Sequence, residues 1–212
     1  MKVRRQAPFP EAQKTSKGTM DSEEVLDRFR KSGALLEGHF LLSSGLHSPA
    51  YLQCAIALQS TADSVEFGAA LADHFRNEPV DTVAAPAIGG LVIGYEVARQ
   101  LGVRFIWTER ENGVMTLRRG FTVRAGERVL VVEDVITTGG STRDTIAALQ
   151  QAGATIVAAG SIIDRSGGRA EVGVRRVSLA TLDVPSSSPD DCDACKRGEP
   201  VVKPGSRSKP AG

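Results

Sequence analysis

The sequence predicts a single α/β domain in which helices flank a parallel sheet. Apolar runs typical of buried strands alternate with segments of helical spacing, and glycine-bearing turns separate them. The clearest run, Val129–Val132, is followed by a polar turn and by a helix-like segment at Arg143–Gln151. With 212 residues, of which 41% are hydrophobic, the chain is long enough to bury one substantial core.

Capping residues and apolar spacing give the order of elements. Asp21 or Ser22 can cap a helix that opens with two glutamates. Val65, Ala69 and later apolar residues recur at near-helical spacing, whereas the strand segments are short and apolar. Helices are predicted at 21–30, 60–75, 89–100 and 143–151, and strands at 40–42, 51–54, 82–85, 103–107, 129–132 and 155–163.

Polar composition sets the limits of the domain. Residues 1–20 show no periodicity and are predicted to be a disordered basic tail. The domain is expected to span 21–184, with a small hood from its N-terminal region and a polar hairpin or loop after Trp107. Residues 185–212, rich in proline, serine and aspartate, are expected to form an extended or loosely docked tail.

Charge and composition argue against several classes of protein. Residues 1–20 and 196–212 each carry +4 within a total of +1, so 21–195 carries −7, which does not favour a nucleic-acid surface. No segment is long and apolar enough to span a membrane, and no apolar run of a signal peptide follows the first basic residues. Three cysteines are too few for a disulfide scaffold, so the cytoplasm is the simplest location.

The segment from Glu133 to Thr142 combines groups that suit a phosphorylated sugar. Glu133 and Asp134 follow the apolar run and are expected at the carboxyl end of a strand, where open α/β sheets bind ligands. Gly139 and Gly140 allow successive backbone N–H groups to face one anion, and the next helix adds its positive dipole end. The two carboxylates suit sugar hydroxyls or a magnesium ion.

A simpler interpretation of this segment is a buried strand followed by a polar helix cap at Ser141. This interpretation would explain any one of these features taken alone. The full order of apolar run, acid pair and hydroxyl-rich glycine turn favours the phosphate site. Neither G-x-x-x-x-G-K-[ST] nor G-x-G-x-x-G after a strand is present. The chain is therefore not expected to be a nucleotide triphosphatase or a dinucleotide enzyme.

The same segment resembles the phosphoribosyl-pyrophosphate (PRPP) signature of the type I phosphoribosyltransferases, with a likeness that runs from about Phe40 to Arg169. The resemblance implies that family's fold, transfer of a 5-phosphoribosyl group from PRPP, and Mg²⁺ carried by PRPP with no direct protein ligand assigned. It also implies a homodimer with no nucleic-acid or membrane partner. The PRPP-binding residues it implies are Glu133, Asp134, Val135, Ile136, Thr137, Thr138, Gly139, Gly140, Ser141, Ala87 and Arg110, of which Glu133, Asp134 and Arg110 are implied to be catalytic.

Flanking motifs resemble the branch of this family whose acceptor is orotate, the precursor of orotidine 5′-monophosphate in pyrimidine biosynthesis. Asp164-Arg165 ends a predicted strand, and a planar guanidinium can grip the carboxylate of orotate. The resemblance implies that Thr137 and Arg165 bind orotate. A surface ion pair is the simpler interpretation of Asp164-Arg165.

Three further turns carry weaker signals. The turn Ala85–Gly90 resembles the family's pyrophosphate loop, although it could be an ordinary strand-to-helix turn. Ser43 stands where the family pattern has lysine, and His47 could donate to substrate or simply be solvated. The stretch Glu109–Arg119 matches the family's mobile catalytic loop in position but has no lysine or histidine. Arg110 could replace the lysine charge, while the arginine pair at its end could bind pyrophosphate or form a plain hairpin surface.

Cys192 and Cys195 form a C-x-x-C pair in the polar tail. Half a zinc site needs two more ligands, and the other candidates are distant in sequence: His39, His47, His74 and Cys54. We therefore interpret the pair as two ordinary thiols, although a dimer could pool two pairs.

Two other functions stay open from the sequence. One is a phosphoribosyltransferase for a different base; for a purine, Arg165 argues against it, because a purine has no carboxylate. The other is a PRPP-sensing regulatory protein of the same fold that binds nucleic acid. It would need an added DNA-binding module or a basic face, and the acidic body offers neither.

Overall fold

The computed structural model describes residues 20–42 and 44–204. The predictions for Ser43 and for most of the first tail, as well as for 205–212, lie outside these residues. Within the described part, no helix combines the length and the apolar character needed to cross a membrane.

The described chain alternates helices and strands. In chain order they are α1 (Ser22–Lys31), β1 (Leu35–Leu41), β2 (His47–Leu52), α2 (Cys54–Leu58), α3 (Thr61–Asp73), β3 (Thr82–Pro86), α4 (Leu91–Leu101), β4 (Arg104–Glu111), β5 (Val114–Leu117), β6 (Arg128–Ile136), α5 (Gly140–Gln151), β7 (Thr155–Asp164), β8 (Arg176–Thr181) and α6 (Asp193–Lys196). As predicted, Asp21 caps α1, because its side chain accepts a hydrogen bond from Glu24 N.

A six-stranded sheet in the order β5-β4-β3-β6-β7-β8 forms the centre of the molecule. Neighbouring strands are parallel except for β5, which runs antiparallel to β4. Strand β3 is buried along its whole length, as expected where helices cover both faces of a sheet. The predicted parallel sheet flanked by helices is confirmed.

Apolar layers cover both faces of this sheet. On one face, α1 and α3 contribute the fully buried Phe29 and Phe67, whose ring centroids are 5.6 Å apart. On the other face, α5 contributes Ile146. Side chains alternate along β6, so that Leu130 faces the first layer and Val131 the second. The two layers fix the strand that carries the acid pair.

A separate two-stranded antiparallel sheet, β1 with β2, forms the hood. Residues 185–204 dock on it through backbone pairs. Leu41 N donates to Val202 O at 2.8 Å, and His47 and Ser187 exchange two backbone hydrogen bonds. This segment is thus held in a defined place, unlike the loosely docked tail expected from its composition.

The elements differ from the sequence prediction in several places. Strand β6 continues through the acid pair to Ile136, because its pairing with β7 extends to the Ile136–Asp164 register. Helix α5 begins at Gly140 instead of Arg143. The polar stretch after Trp107 forms the β4–β5 hairpin, which is one of the two forms expected there, whereas α2, α6 and β8 have no counterpart among the predicted elements.

Candidate active site

The candidate phosphate site is the turn between β6 and α5. Strand β6 ends at Ile136 and α5 starts at Gly140, so three residues join them. Gly139 adopts a left-handed φ of 75°, and a Cβ there would lie 2.9 Å from Val172 Cγ1. A side chain at this position would meet both backbone strain and a clash, which explains the glycine.

This turn presents hydroxyl and N–H donors together. The side chains of Thr137, Thr138 and Ser141 are exposed. Within the described chain no side chain caps α5, so its first N–H groups are available to an anion. Arg143 Nη1 donates to the carbonyl oxygens of Thr138, at 2.8 Å, and Glu171, at 2.6 Å. The arginine therefore braces the turn, whose own donors suit a phosphate dianion.

Glu133 and Asp134 lie near the carboxyl end of β6, inside the strand and not after it. Glu133 is 7% exposed, and burial followed by the charge of Asp134 raises the pKa of Glu133 to about 9. Burial also raises the pKa of Asp134. No cation among the described residues offsets this effect. The acid pair therefore has no cationic partner among the described residues and fits ligand hydroxyls or a divalent cation.

The two residues after the acid pair have structural roles. Val135 N donates to Asp134 Oδ1 at 2.8 Å, which orients that carboxyl group. The side chain of Ile136 is 1% exposed and lies in the core. A ligand can therefore reach Ile136 only through its backbone.

The turn that follows β3 lies beside the acid pair. Ala87 N donates to Thr108 O at 2.8 Å, which ties the turn to the neighbouring strand β4. A Cβ on Gly89 would lie 2.8 Å from Asp134 Oδ1, and one on Gly90 would lie 2.9 Å from Val132 O. The two glycines thus permit a close approach, and the predicted pyrophosphate turn meets the end of β6.

Thr137 and Arg165 come from adjacent strand ends. Arg165 N donates to Ile136 O at 2.8 Å, and its Nη2 donates to Ser48 Oγ in the hood at 3.3 Å. The side chain is half-buried, and burial lowers the pKa of Arg165. Within the described chain no carboxylate pairs with its guanidinium. A partly desolvated arginine without an acid partner suits an anionic ligand.

The ion-pair interpretation of Asp164-Arg165 is wrong. Asp164 is 1% exposed and accepts hydrogen bonds from Ser166 N, at 2.8 Å, and from Arg176. These contacts keep Asp164 in the strand end, so Arg165 is left for a different partner.

The three arginines of the hairpin bind acids of the protein itself. Arg110 Nη2 donates to Asp144 Oδ2 at 2.7 Å, beside the first turns of α5. Arg119 donates to Glu109 Oε1 at 2.7 Å and thereby lowers the pKa of Glu109 to about 2, while Arg118 Nη1 lies 3.6 Å from Glu109 Oε2. The structure does not bring them to the turn after β6, so each would exchange partners to reach a pyrophosphate.

His47 belongs to a different part of the molecule than the sequence suggested. Its ring is 6% exposed, and Nδ1 lies 2.8 Å from His39 Nε2. The ring is therefore buried in the hood and is not a solvated turn histidine.

Sequence reasoning missed two neighbours of the site. Cys54, at the start of α2, is buried, and burial followed by the charge of Asp134 raises the pKa of its thiol. Ser48 supports Arg165. Both contacts join segments far apart in the chain, and the one available signal was the likeness of 40–49 to a family loop.

Comparison with known proteins agrees with this geometry. The model of the phosphoribosyl transferase domain matches residues 64–186. The orotate phosphoribosyltransferase of Pelotomaculum thermopropionicum is 52% identical over 188 residues, which cover 89% of this chain and 99% of the relative. That of Desulforamulus reducens is 51% identical over 188 residues, covering 89% and 98% respectively.

A solved structure supports the same assignment. Orotate phosphoribosyltransferase from Aeropyrum pernix superimposes with a TM-score of 0.60 at 28% identity, covering 74% of this chain and 93% of that one. The matched parts include β3, β6, α5 and β7, which carry the acid pair and the turns around it. The chain therefore belongs to the phosphoribosyl transferase domain family and, within it, to the orotate phosphoribosyltransferases.

Proposed function

We propose that this protein transfers the 5-phosphoribosyl group of PRPP to orotate, giving orotidine 5′-monophosphate and pyrophosphate in pyrimidine biosynthesis. The observation that carries the proposal is the joint placement of two sites at one sheet edge. An acid pair and an uncapped helix N-terminus suit PRPP, and the half-buried Arg165 beside them suits the orotate carboxylate. The 52% identity to a named orotate phosphoribosyltransferase supports it.

The turn from Thr137 to Ser141 would hold the 5′-phosphate. Its exposed hydroxyls and the first N–H groups of α5 supply donors without a lysine. Glu133 and Asp134 would hold the ribose hydroxyls. Burial raises the pKa of both carboxyl groups, and hydrogen bonds donated by the sugar would stabilise their ionised forms. The sugar would then lie along the end of β6.

The reaction is a displacement at the anomeric carbon of the ribose. The bond from that carbon to pyrophosphate breaks with its electrons on the leaving oxygen. A ring nitrogen of orotate forms the new bond, and the proton of that nitrogen passes to solvent. Positive charge builds on the sugar in the transition state, next to the acid pair. Catalysis is therefore mainly positioning and electrostatic stabilisation by groups already in place.

Mg²⁺ bound with PRPP would neutralise the departing pyrophosphate. The site fits such an ion, because the carboxyl groups of Glu133 and Asp134 have no cationic partner among the described residues. Ala87 N–H is already bound to Thr108 O, so in that turn Ala87 would contribute through its position and not as a free donor.

The hairpin arginines would complete the site on closure. Arg110 is exposed and bound to Asp144 near the start of α5. A pyrophosphate at the end of β6 would compete with Asp144 for this guanidinium, because phosphate oxygens carry more charge than one carboxylate. Closure of the hairpin would also keep water from hydrolysing PRPP.

The orotate assignment is tested by following loss of orotate absorbance with purified protein, PRPP and Mg²⁺. We expect loss of orotate only when all three are present, and no release of pyrophosphate when adenine replaces orotate. Tight PRPP binding without orotate loss would exclude orotate as the acceptor and favour another base.

We also propose a homodimer in the cytoplasm. Ile88, Val92 and Tyr95, which follow one another at helical spacing, are 82%, 46% and 60% exposed. An apolar stripe of this kind, next to the site, is typical of a subunit contact. None of the three cysteines is paired in a disulfide, which suits a reducing compartment. Light scattering of wild type and of Tyr95→Lys checks the dimer; two monomeric samples would contradict it.

A further inference from the structure

The hood carries a cluster of side chains that plays no part in the proposed reaction. It consists of His39 from β1, His47 from β2, and Cys192 and Cys195 around α6. The two histidines are separated from the two cysteines by about 150 residues of chain. Nevertheless their ligand atoms all lie within 4.8 Å of one another.

The spacing of these atoms is that of a tetrahedral metal site. His39 Nε2 lies 3.4 Å from Cys192 Sγ and 3.6 Å from Cys195 Sγ, while His47 Nδ1 lies 3.2 Å from Cys195 Sγ. Ligands bound at about 2.0–2.3 Å to one central Zn²⁺ are about 3.4–3.8 Å apart. The two rings, at 2.8 Å, need to separate by about half an ångström to admit the ion.

The orientation of His39 is that of a metal ligand. Its Nδ1 lies 2.9 Å from the backbone oxygen of Glu199. A carbonyl can only accept a hydrogen bond, so Nδ1 carries the proton and Nε2 presents its lone pair to the cluster. Support of a ligating imidazole by a carbonyl on its other nitrogen is the usual arrangement at protein metal sites.

The cluster is closed and anchored on both sides. His39, His47 and Cys192 are each 6% exposed. Backbone hydrogen bonds flank it, from His47 to Ser187 and from Val202 to His39. A hydrogen bond between the two rings would explain their 2.8 Å contact, but it would not explain why two sulfur atoms lie within 3.6 Å of His39 Nε2.

We propose that His39, His47, Cys192 and Cys195 bind one Zn²⁺ per chain in a closed tetrahedral site that fastens the C-terminal segment to the hood. Two imidazoles and two thiolates are a ligand set that Zn²⁺ prefers, and the absence of an open position marks a structural role. The interpretation of the two cysteines as ordinary thiols is thereby replaced.

A metal at this place would also steady the orotate side of the active site. Ser48, which supports Arg165, directly follows the ligand His47 on β2. This consequence rests on the proposed function, whereas zinc binding itself does not. Metal content therefore tests the site even if orotate is not the acceptor.

The experiment measures zinc in protein purified without chelator from zinc-supplemented cells. We expect about one Zn²⁺ per chain, as a single-site stoichiometry requires. Replacement by Co²⁺ should give strong visible absorption of a tetrahedral, thiolate-bound ion. Treatment with a chelator and a thiol reagent should release the metal and lower the Tm, and added Zn²⁺ should restore the Tm after the thiols are regenerated.

Matched variants locate the ligands. The double variant Cys192→Ser/Cys195→Ser should lose the metal and the response to chelator. Cys54→Ser and His74→Ala should keep it, since they remove the remaining cysteine and the remaining histidine of the chain. Wild-type protein with no more zinc than the double variant and no Co²⁺ spectrum would overturn the proposal. So would a disulfide between Cys192 and Cys195 in the freshly purified protein.

Discussion

The carboxyl edge of the central sheet and the hood are two polar sites built in opposite ways. At the sheet edge, Glu133 to Ser141 supply the acids, hydroxyls and backbone donors within nine consecutive residues. In the hood, His39 and Cys195 are 156 residues apart and meet only through tertiary structure. A short loop can position groups for a substrate by local backbone geometry. The hood instead needs a distant segment of the chain to bring its groups together, and we infer that a metal ion then holds them.

Arg165→Ala should give the largest effect, because it removes a half-buried cation that links the sheet edge to Ser48 in the hood. Loss of a partly buried charge partner costs about 2–5 kcal/mol, so kcat/KM for orotate should fall by about 30-fold to several thousand-fold. The Kd for PRPP, measured by calorimetry, should change little. Arg165→Lys serves as the control that keeps charge without the planar fork. Equal losses for both substrates would remove Arg165 from the orotate site.

Asp134→Asn tests the sheet edge alone. The variant keeps the shape of the side chain but weakens hydrogen bonds to a charged acceptor, which contribute about 1.5–3 kcal/mol. The Kd or kcat/KM for PRPP should therefore worsen by about 10- to 150-fold. Zinc content should stay at the wild-type level, since the two sites share no residue. Unchanged PRPP kinetics would show that Asp134 does not contact the sugar.

Glu133→Gln should change how stability depends on pH. Because the folded-state pKa of Glu133 is raised from 4.5 to about 9, its contribution is fully present below about pH 4.5 and is lost as pH rises toward 9. The Tm of wild type minus that of the variant should therefore decrease as the pH rises from about 5 to about 9. The expected decrease is at least about 2–4 °C, which is what roughly 1 kcal/mol produces in a domain of this size. Parallel profiles from calorimetry would contradict the burial argument.

Ser48→Ala should give the smallest effect and tests whether the hood reaches the active site. The variant removes the 3.3 Å hydrogen bond from Arg165, and a neutral partner of this kind contributes about 0.5–1.5 kcal/mol. KM for orotate should rise about two- to tenfold with kcat nearly unchanged. Exposed Ser44, in the turn before β2, gives a control in Ser44→Ala. Identical kinetics for the two variants would separate the hood from orotate binding.

The sequence predicted the sheet edge well because its signals are local. Continuous apolar runs identified β3, β6 and β7, and the order of acids, hydroxyls and glycines indicated the turn before α5. The acids lie near the carboxyl end of the strand, as expected, but the predicted strand at 129–132 ended too early, since pairing with β7 extends β6 to Ile136. The local apolar pattern predicts that a strand exists, but it does not predict how far pairing with a neighbouring strand extends that strand.

The parts that could not be predicted depend on distant contacts. Strand β8 has a short, mixed sequence, and it forms because β7 offers an edge for parallel pairing. The sequence left hairpin and loop open after Trp107; the β4–β5 hairpin forms through its backbone pairing, the buried Met115 and ion pairs such as Arg119 with Glu109. The histidine and cysteine cluster needs residues from both ends of the described chain, and no spacing rule within one segment reveals it.

The docking of Val202 on the hood has a consequence for the order in which the molecule is made. Strand β1 leaves the ribosome early, but the backbone partner of Leu41 and the carbonyl that holds His39 come about 160 residues later. Strands β3 to β8 can pair while the hood still lacks its cover. The hood is therefore completed last during synthesis, after the sheet edge that it encloses has already formed.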